Sequence, residues 1–323
     1  MGRGAPGTGP LGAVCARWAS YPCPVPLPLE SVPNVSEGRD AGVVSQLRTA
    51  FSAPARLLDV HVDADHHRSV YTLVGSAEEL VQTLFNGISC AAELIDLRRH
   101  AGAHPRIGAA DVVPLVSLDP GQEPAAHAAA LALADRVATE LGLPVFFYGR
   151  LTAERREPAF FRGGGPEELQ RRMDAGEIRP DRGPSRLHPT AGGVIVGVRR
   201  PLIAFNVNLR GASVETAREI AGLVRERGGG FAGVRALGLD LPRAGLVQVS
   251  MNVTDYRATA LHEVVSRIAA EAEARGAEIA GSELVGLVPA GVVVEAARRP
   301  LRLEGLEESR VLELRLLEEE PDG

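Results

Sequence analysis

The sequence predicts an α/β protein of two subdomains, on three observations. Strand-like and helix-like stretches alternate from about Leu29 onward. The chain has 323 residues, long for one core when a domain takes about 100–200 residues. No apolar run approaches the roughly 18 residues that a membrane helix needs, and hydrophobic residues at 45% with charged residues at 24% are ordinary for a globular chain.

Residues 1–28 stand apart: they are rich in Gly, Ala and Pro, lack acidic residues and show no periodicity. They are expected to be a disordered or mis-assigned N-terminal extension. Arg56–Val62 and Ser69–Val74, rich in Leu and Val, predict two buried strands. Ser76 followed by Glu79 is a capping box, predicting a helix to about Arg99. Its stripe of Leu80, Leu84, Ile88, Ala91 and Ile95 has helical spacing. Val112–Leu118 predicts a strand, about 124–141 an alanine-rich helix, and Leu143–Tyr148 another strand. Residues 150–190 predict a loop-rich stretch with one helical piece near Glu167–Asp174. Gly193–Val198 and Leu202–Leu209 follow as strands around the turn Arg199-Arg200-Pro201. A helix over 213–227, a strand over Leu246–Val253 and a helix over 255–275 come next. A short helix opened by Pro289, a strand over 311–317 and a solvated tail at 318–320 end the reading. The division falls near residue 200, giving subdomains 29–200 and 201–318.

All 35 basic residues are arginine. The absence of lysine excludes Schiff-base chemistry and a P-loop. Cys15, Cys23 and Cys90 are too few and scattered for a disulfide framework or a cysteine zinc site. A net charge of −6 argues against general binding to a nucleic-acid backbone.

Six of eight histidines cluster in polar stretches: His61, His66 and His67, then His100 and His104, then His188. His127 and His262 fall in predicted helices and are read as structural. His100 and His104 have the i, i+4 spacing of a helical metal pair, but Gly102 and Pro105 oppose a continuing helix. No metal is expected. His104 instead stands at a helix-to-loop transition fixed by Pro105, with Arg106 beside it to hold an anion. Spacing alone favours the plainer alternative, a capping histidine beside a surface arginine. Residues 183–193, with two prolines and three glycines, predict a fixed irregular backbone, either a connecting loop or a surface that approaches a planar ligand.

Val32–Gly38, Leu57–Asp59 and Asp65–Thr72 resemble the opening of the glutamate formimidoyltransferase family. The run from Arg99 through His104-Pro105-Arg106 to Gly108, ending at Asp111, is similar to that family's catalytic segment. Gly183-Pro184-Ser185 leading through His188-Pro189 into Leu202–Leu209, then Gln248–Asn252 and Gly281–Pro289, extend the resemblance over about residues 29–317.

The resemblance implies two subdomains with mixed sheets facing each other, helices outside, and folate in the cleft between them. It implies transfer of a formimino group from N-formimino-L-glutamate to N5 of tetrahydrofolate, in histidine breakdown, with tetrahydrofolate as co-substrate. The chain ends where the transferase part of the animal fusion with a cyclodeaminase would end, so only the transferase activity is expected. His104 matches the family's catalytic histidine, a base expected to titrate near 7. The folate stretch maps onto Gly183, Pro184, Ser185, Arg186, Leu187, His188, Pro189, Thr190, Ala191 and Gly192. Arg68 and Arg106 are inferred partners for substrate carboxylates. A cytoplasmic homodimer, with neither nucleic acid nor membrane as partner, is the accompanying expectation. This chain departs from the family at His61, where animal members carry an aspartate; if that acid orients the catalytic histidine, either Asp59, Asp63 or Asp65 substitutes for it here or the proton relay differs. It departs again at Thr190-Ala191, where animal members carry an aromatic. Two further readings share the fold: formyl transfer between 5-formyltetrahydrofolate and glutamate, and folate binding without catalysis.

Overall fold

The structure, a computed structural model, describes residues 27–289 and 292–293. An extended segment at its start is split by Pro33, which has no N–H to give to a ladder. β1 (Leu29–Ser31) and β2 (Asn34–Val35) therefore lie end to end, both between β4 (Arg68–Gly75) and β5 (Ala110–Ser117). β3 (Arg56–Asp63) pairs with the outer side of β4. β7 (Val194–Arg199) runs parallel to β5, and β6 (Val145–Gly149) parallel to β7 closes the far edge. The result is a seven-stranded mixed sheet. Both β4 and β5 are antiparallel to the split strand, so β4, β5, β6 and β7 all point the same way. Their N-terminal ends share one edge of the sheet with the C-terminal end of β3.

Three helices cover one face: α1 (Ala41–Ala50), α2 (Ala77–Leu94) and α3 (Glu123–Glu140). α2 begins as predicted, with Ser76 N–H donating to Glu79 Oε2 at 2.8 Å and Glu79 N–H to Ser76 Oγ at 3.3 Å. Phe51 stacks on Tyr71 at 4.7 Å between centroids with both rings fully buried; burying each contributes roughly 2–3 kcal/mol. On the opposite face, over β5, β7 and β6, lie α4 (Pro158–Arg162) and α5 (Gly165–Asp174), packed through Phe146, Tyr148, Phe161 and Leu169.

The second sheet is antiparallel, in the order β11 (Glu278–Val285), β8 (Ile203–Arg210), β10 (Leu246–Val253), β9 (Val234–Leu241). Strand alternation gives it two different faces. Phe205, Val207, Val249 and Met251 pack under α6 (Val214–Val224) and α7 (Leu261–Glu273). On the other face Asn208 lies opposite Gln248, and Asn206 opposite Ser250 and Glu283.

This polar face turns toward the first sheet. Leu58 and Val74 pack with Leu118 and Leu287, and the Arg243 N–H donates to Asp65 Oδ1 at 3.0 Å. Arg235 pairs with Glu157, and His61 Nε2 lies 3.4 Å from Glu283 Oε1. A cleft of about 590 Å³ remains, lined by residues 61–65 and by Asn208, Gln248 and Glu283. Two sheets thus face each other with α1–α3 and α6–α7 on their outer sides, the predicted architecture, while α4 and α5 lie on the inner face of the first sheet. No helix among the described residues is long and apolar enough to cross a membrane.

Several predicted boundaries move. The helix expected to reach Arg99 ends at Leu94, because Ile95 is extended and Asp96 caps a separate 3-10 turn at Leu97–Arg99. The helix expected from Asp255 starts at Leu261. The Asp255 carboxylate accepts from the Ala258 N–H, and Thr259 Oγ1 donates to the Ala232 carbonyl, which holds that stretch as a turn. β1, β2, α1, α4, β9 and β11 were not predicted. The Val292 N–H bonds to the Pro289 carbonyl at 3.0 Å; the strand expected at 311–317, the tail and residues 1–26 lie outside the described residues.

Candidate functional site

Three loops meet at the shared edge of the first sheet: the β3–β4 turn, the segment 95–109 before β5, and the segment 183–193 before β7. Asp63 shapes the turn by accepting from the His66 N–H at 2.8 Å, and its Oδ2 lies 3.5 Å from His66 Nδ1. His67 takes a left-handed φ of 50°, uncommon for a non-glycine residue. The next loop is sewn to this turn, with the Ala103 N–H donating to the Asp65 carbonyl at 3.2 Å. Gly102 permits that approach, since a Cβ there would collide with the His66 carbonyl and the Arg106 guanidinium.

Arg106 binds the two loops together. It donates to the carbonyls of His104 (3.1 and 2.5 Å), His66 (3.0 Å) and His67 (3.2 Å). Its Nη1 also faces His100 Nδ1 at 2.5 Å. His100 in turn donates from Nε2 to the His67 carbonyl and stacks on the His67 ring at 3.8 Å. Burial, with Arg106 and His67, pushes the His100 pKa down to about 4. The helical His100–His104 pair does not form, because the chain is not helical there. Arg106 is therefore committed to backbone carbonyls, where the sequence reading expected it to face a substrate carboxylate.

His104 is partly exposed at this junction. Its Nδ1 lies 2.9 Å from the Pro105 carbonyl. A carbonyl only accepts, so Nδ1 carries the proton and Nε2 keeps its lone pair. Burial, followed by the charges of Arg68 and Arg162, holds the His104 pKa well below the ordinary histidine value. A base titrating near 7 was expected; the arginines brought in by the fold make the difference. The acid sought for orienting His104 is replaced by this carbonyl. Asp63 engages His66, Asp65 receives the Arg243 amide, and His61 faces Glu283 across the cleft. The His66 ring stands 5.9 Å from that of His104.

Arg68 opens β4, and its pKa is lowered to about 10 by burial and by Arg162. Among the described residues no carboxylate stands within ion-pair distance of it, so it is a cation disposed to take an anion. Arg162, from the end of α4, pairs with Asp111, whose other oxygen accepts from the Ile107 N–H at 2.7 Å. The sequence reading missed Arg162. Pro158 at a first helical position, followed by the buried Phe161, was the signal for its helix.

The segment 183–192 divides in two. His188 and Gly192 exchange both backbone hydrogen bonds at 2.9 Å, and His188 Nδ1 accepts from the Ala191 N–H at 3.1 Å. The carbonyls of Thr190 and Ala191 accept from Leu97 and Ala109, and the Gly193 N–H donates to Ile107. His188, Pro189, Thr190, Ala191 and Gly192 are thereby docked against the loop that carries His104. Gly183, Pro184, Ser185 and Arg186 run exposed past the start of edge strand β6, where Val145 bonds to the Arg182 carbonyl. Leu187 links the halves, its N–H donating to Gln170 Oε1 at 2.8 Å.

Comparison with known proteins gives consistent matches. Residues 28–199 match the formiminotransferase domain, N-terminal subdomain, and residues 204–313 match the formiminotransferase domain. A glutamate formimidoyltransferase from Thermoplasma acidophilum is 38% identical over 294 residues, covering 89% of this chain and 97% of that protein. One from Streptococcus pyogenes is 37% identical, covering 90% and 98%. The formimidoyltransferase-cyclodeaminase of Sus scrofa is 38% identical over 279 residues, and the match spans 51% of that longer protein.

Proposed function

The chain belongs to the formiminotransferase family and is a transferase, and on that premise we propose that it moves the formimino group of N-formimino-L-glutamate to N5 of tetrahydrofolate. N5 attacks the amidine carbon and forms a C–N bond. The proton of N5 passes to His104 Nε2, and the same proton goes to the departing glutamate nitrogen as its bond to carbon breaks. The products are 5-formimidoyltetrahydrofolate and glutamate.

The observation that carries this reading is the His104 tautomer, with Nε2 unprotonated beside cationic Arg68. Arg68 takes a substrate carboxylate, while Arg106 positions His104 through its carbonyl. The docked turn 188–192 forms the folate side of the centre, and the exposed Arg186 is placed to meet the acidic tail of folate. The division into subdomains 29–200 and 201–318 belongs to this reading, which is supported by described residues of both, such as Asp63 and Glu283, lining the cleft. Histidine breakdown in the cytoplasm, by a homodimer, is the setting that fits this chemistry.

The test mixes purified protein with tetrahydrofolate and formiminoglutamate, quenches in acid and reads methenyltetrahydrofolate absorbance, with His104→Ala alongside. Product from the wild type that vanishes in the variant is the expected result. Folded wild type that binds folate and yields no product overturns the reading, and formyl donors then take precedence.

A further inference from the structure

The stacked rings of His67 and His100 have hydrogen-bond partners that demand different numbers of protons. Their centroids lie 3.8 Å apart. His100 Nε2 donates to the His67 carbonyl at 3.0 Å, and its Nδ1 faces Arg106 Nη1, which can only donate. That Nδ1 must accept, so His100 is neutral. His67 has acceptors on both sides: Nδ1 lies 3.1 Å from the Ala101 carbonyl, and Nε2 lies 3.1 Å from Glu37 Oε1. Burial raises the Glu37 pKa, but the amides of Asp40 and Arg39 and the charge of His67 outweigh it and hold the carboxylate ionised. Neither acceptor can donate, so both ring nitrogens of His67 carry protons. The stack holds one charge, and it sits on His67. Glu37 is its counter-ion, fixed in the β2–α1 turn because Oε1 also accepts from the Gly38, Arg39 and Asp40 N–H groups at 2.8, 2.7 and 3.0 Å. Other charged groups nearby are engaged elsewhere: the Arg39 side chain with the Ala64 carbonyl, Arg106 with loop carbonyls, Asp63 with His66, and Asp65 with the Arg243 amide.

We propose that Glu37 and His67 are positioning residues: the imidazolium of His67, held by Glu37, ties down the loop that presents His104. Ala101 hangs from His67 Nδ1 and Ala103 from the Asp65 carbonyl, and His104 follows directly. Arg106 closes the far end through the His66 and His67 carbonyls. A neutral imidazole has a single N–H. Loss of one proton therefore releases either Ala101 or Glu37 and slackens the segment before His104. The proposal rests on His104 being the base of the transfer.

The experiment reads the ring N–H signals of the histidine-labelled full chain by NMR, assigned with H67N, and follows kcat and KM of wild type, E37Q and H67N against pH. Asparagine tolerates the left-handed backbone at position 67. Wild type should show protons on both ring nitrogens of His67 and a level kcat from about pH 6.5 to 8. E37Q keeps an acceptor oxygen but loses the charge that retains the second proton, so its His67 should titrate as an ordinary imidazole, at about pH 6.5. Its kcat should then be about 10- to 30-fold below wild type at about pH 8 and within about threefold at about pH 6.5, the change in the protonated fraction. KM for both substrates should stay within about threefold, and H67N should have a low kcat at every pH. A single ring proton on wild-type His67 overturns the proposal. So does an E37Q kcat lowered equally at every pH, which would make the ion pair a plain strut, or a rise in KM in place of a fall in kcat. If E37Q fails to fold, the wild-type ring protons and the kcat of H67N decide: an unchanged kcat in H67N overturns the proposal. Wild type that yields no product removes the underlying reading, and the ring protons are read independently of it.

Discussion

His104 donates from Nδ1 to the carbonyl oxygen of Pro105 at 2.9 Å, so the residue that fixes the histidine's backbone also fixes its tautomer. Pro105 holds its predecessor out of the helical region, and its carbonyl selects which ring nitrogen is left basic. Replacing His104 with Ala should lower kcat about 10²- to 10⁴-fold, the usual range for a general base. KM for both substrates should stay within about threefold, as stopped-time acid-quench assays would show; a comparable rise in KM would make His104 a binding residue instead.

The pH profile carries the sign of the local charge. The folded pKa of His104 lies well below its ordinary value, so the base is already deprotonated at neutral pH. kcat/KM should be flat from about pH 6.5 to 8 and fall only on an acid limb below the usual histidine range. Arg68→Gln removes a nearby positive charge that lowers this pKa, so its acid limb should move to higher pH. An unmoved limb would count against the placement of Arg68 beside His104.

Arg68→Gln should also raise KM for formiminoglutamate about 10- to 100-fold, the loss of a charged hydrogen bond to a carboxylate. Arg106→Gln should behave differently. Its loss leaves the loop carbonyls of His66, His67 and His104 without their donor and should cost about 2–3 kcal/mol of stability. The measurement is a urea midpoint at unchanged slope, compared between the two variants.

Stability should depend on acid through His100. Its pKa is about 4 in the folded chain against an ordinary 6.5, so the unfolded chain binds the proton more readily between those values. The stabilisation is complete above about pH 6.5 and is lost as pH falls through about 4. Thermal scans from pH 7 to 4 should show Tm dropping over that window. His100→Asn keeps an acceptor for Arg106 and should flatten the drop.

Parts of both sheets were legible because their signals are local. Ser76 and Glu79 cap the same helix in sequence and structure, and β10 runs over the predicted Leu246–Val253. His104 was legible as a loop residue through Pro105. Its charge environment was not, since Arg68 and Arg162 come from distant stretches and meet it only through strand order. Asn206, Asn208 and Gln248 alternate with apolar residues and read as a solvated strand face. They are covered because a second sheet stands opposite, which no period in their own strand encodes. Helix ends were displaced where an aspartate side chain, at Asp96 or Asp255, offered the backbone a competing partner.

The split strand at Pro33 bears on how the chain acquires its shape during synthesis. β1 and β2 occupy an interior place in the sheet, hydrogen-bonded on one side to β4 and on the other to β5, whose last residue is Ser117. The earliest described segment to leave a ribosome therefore finds its second neighbour only after nearly ninety more residues have emerged, from Ser31 to Ser117. Until then it is an unpaired edge, and a short, proline-broken edge is a poor template for pairing with another nascent chain.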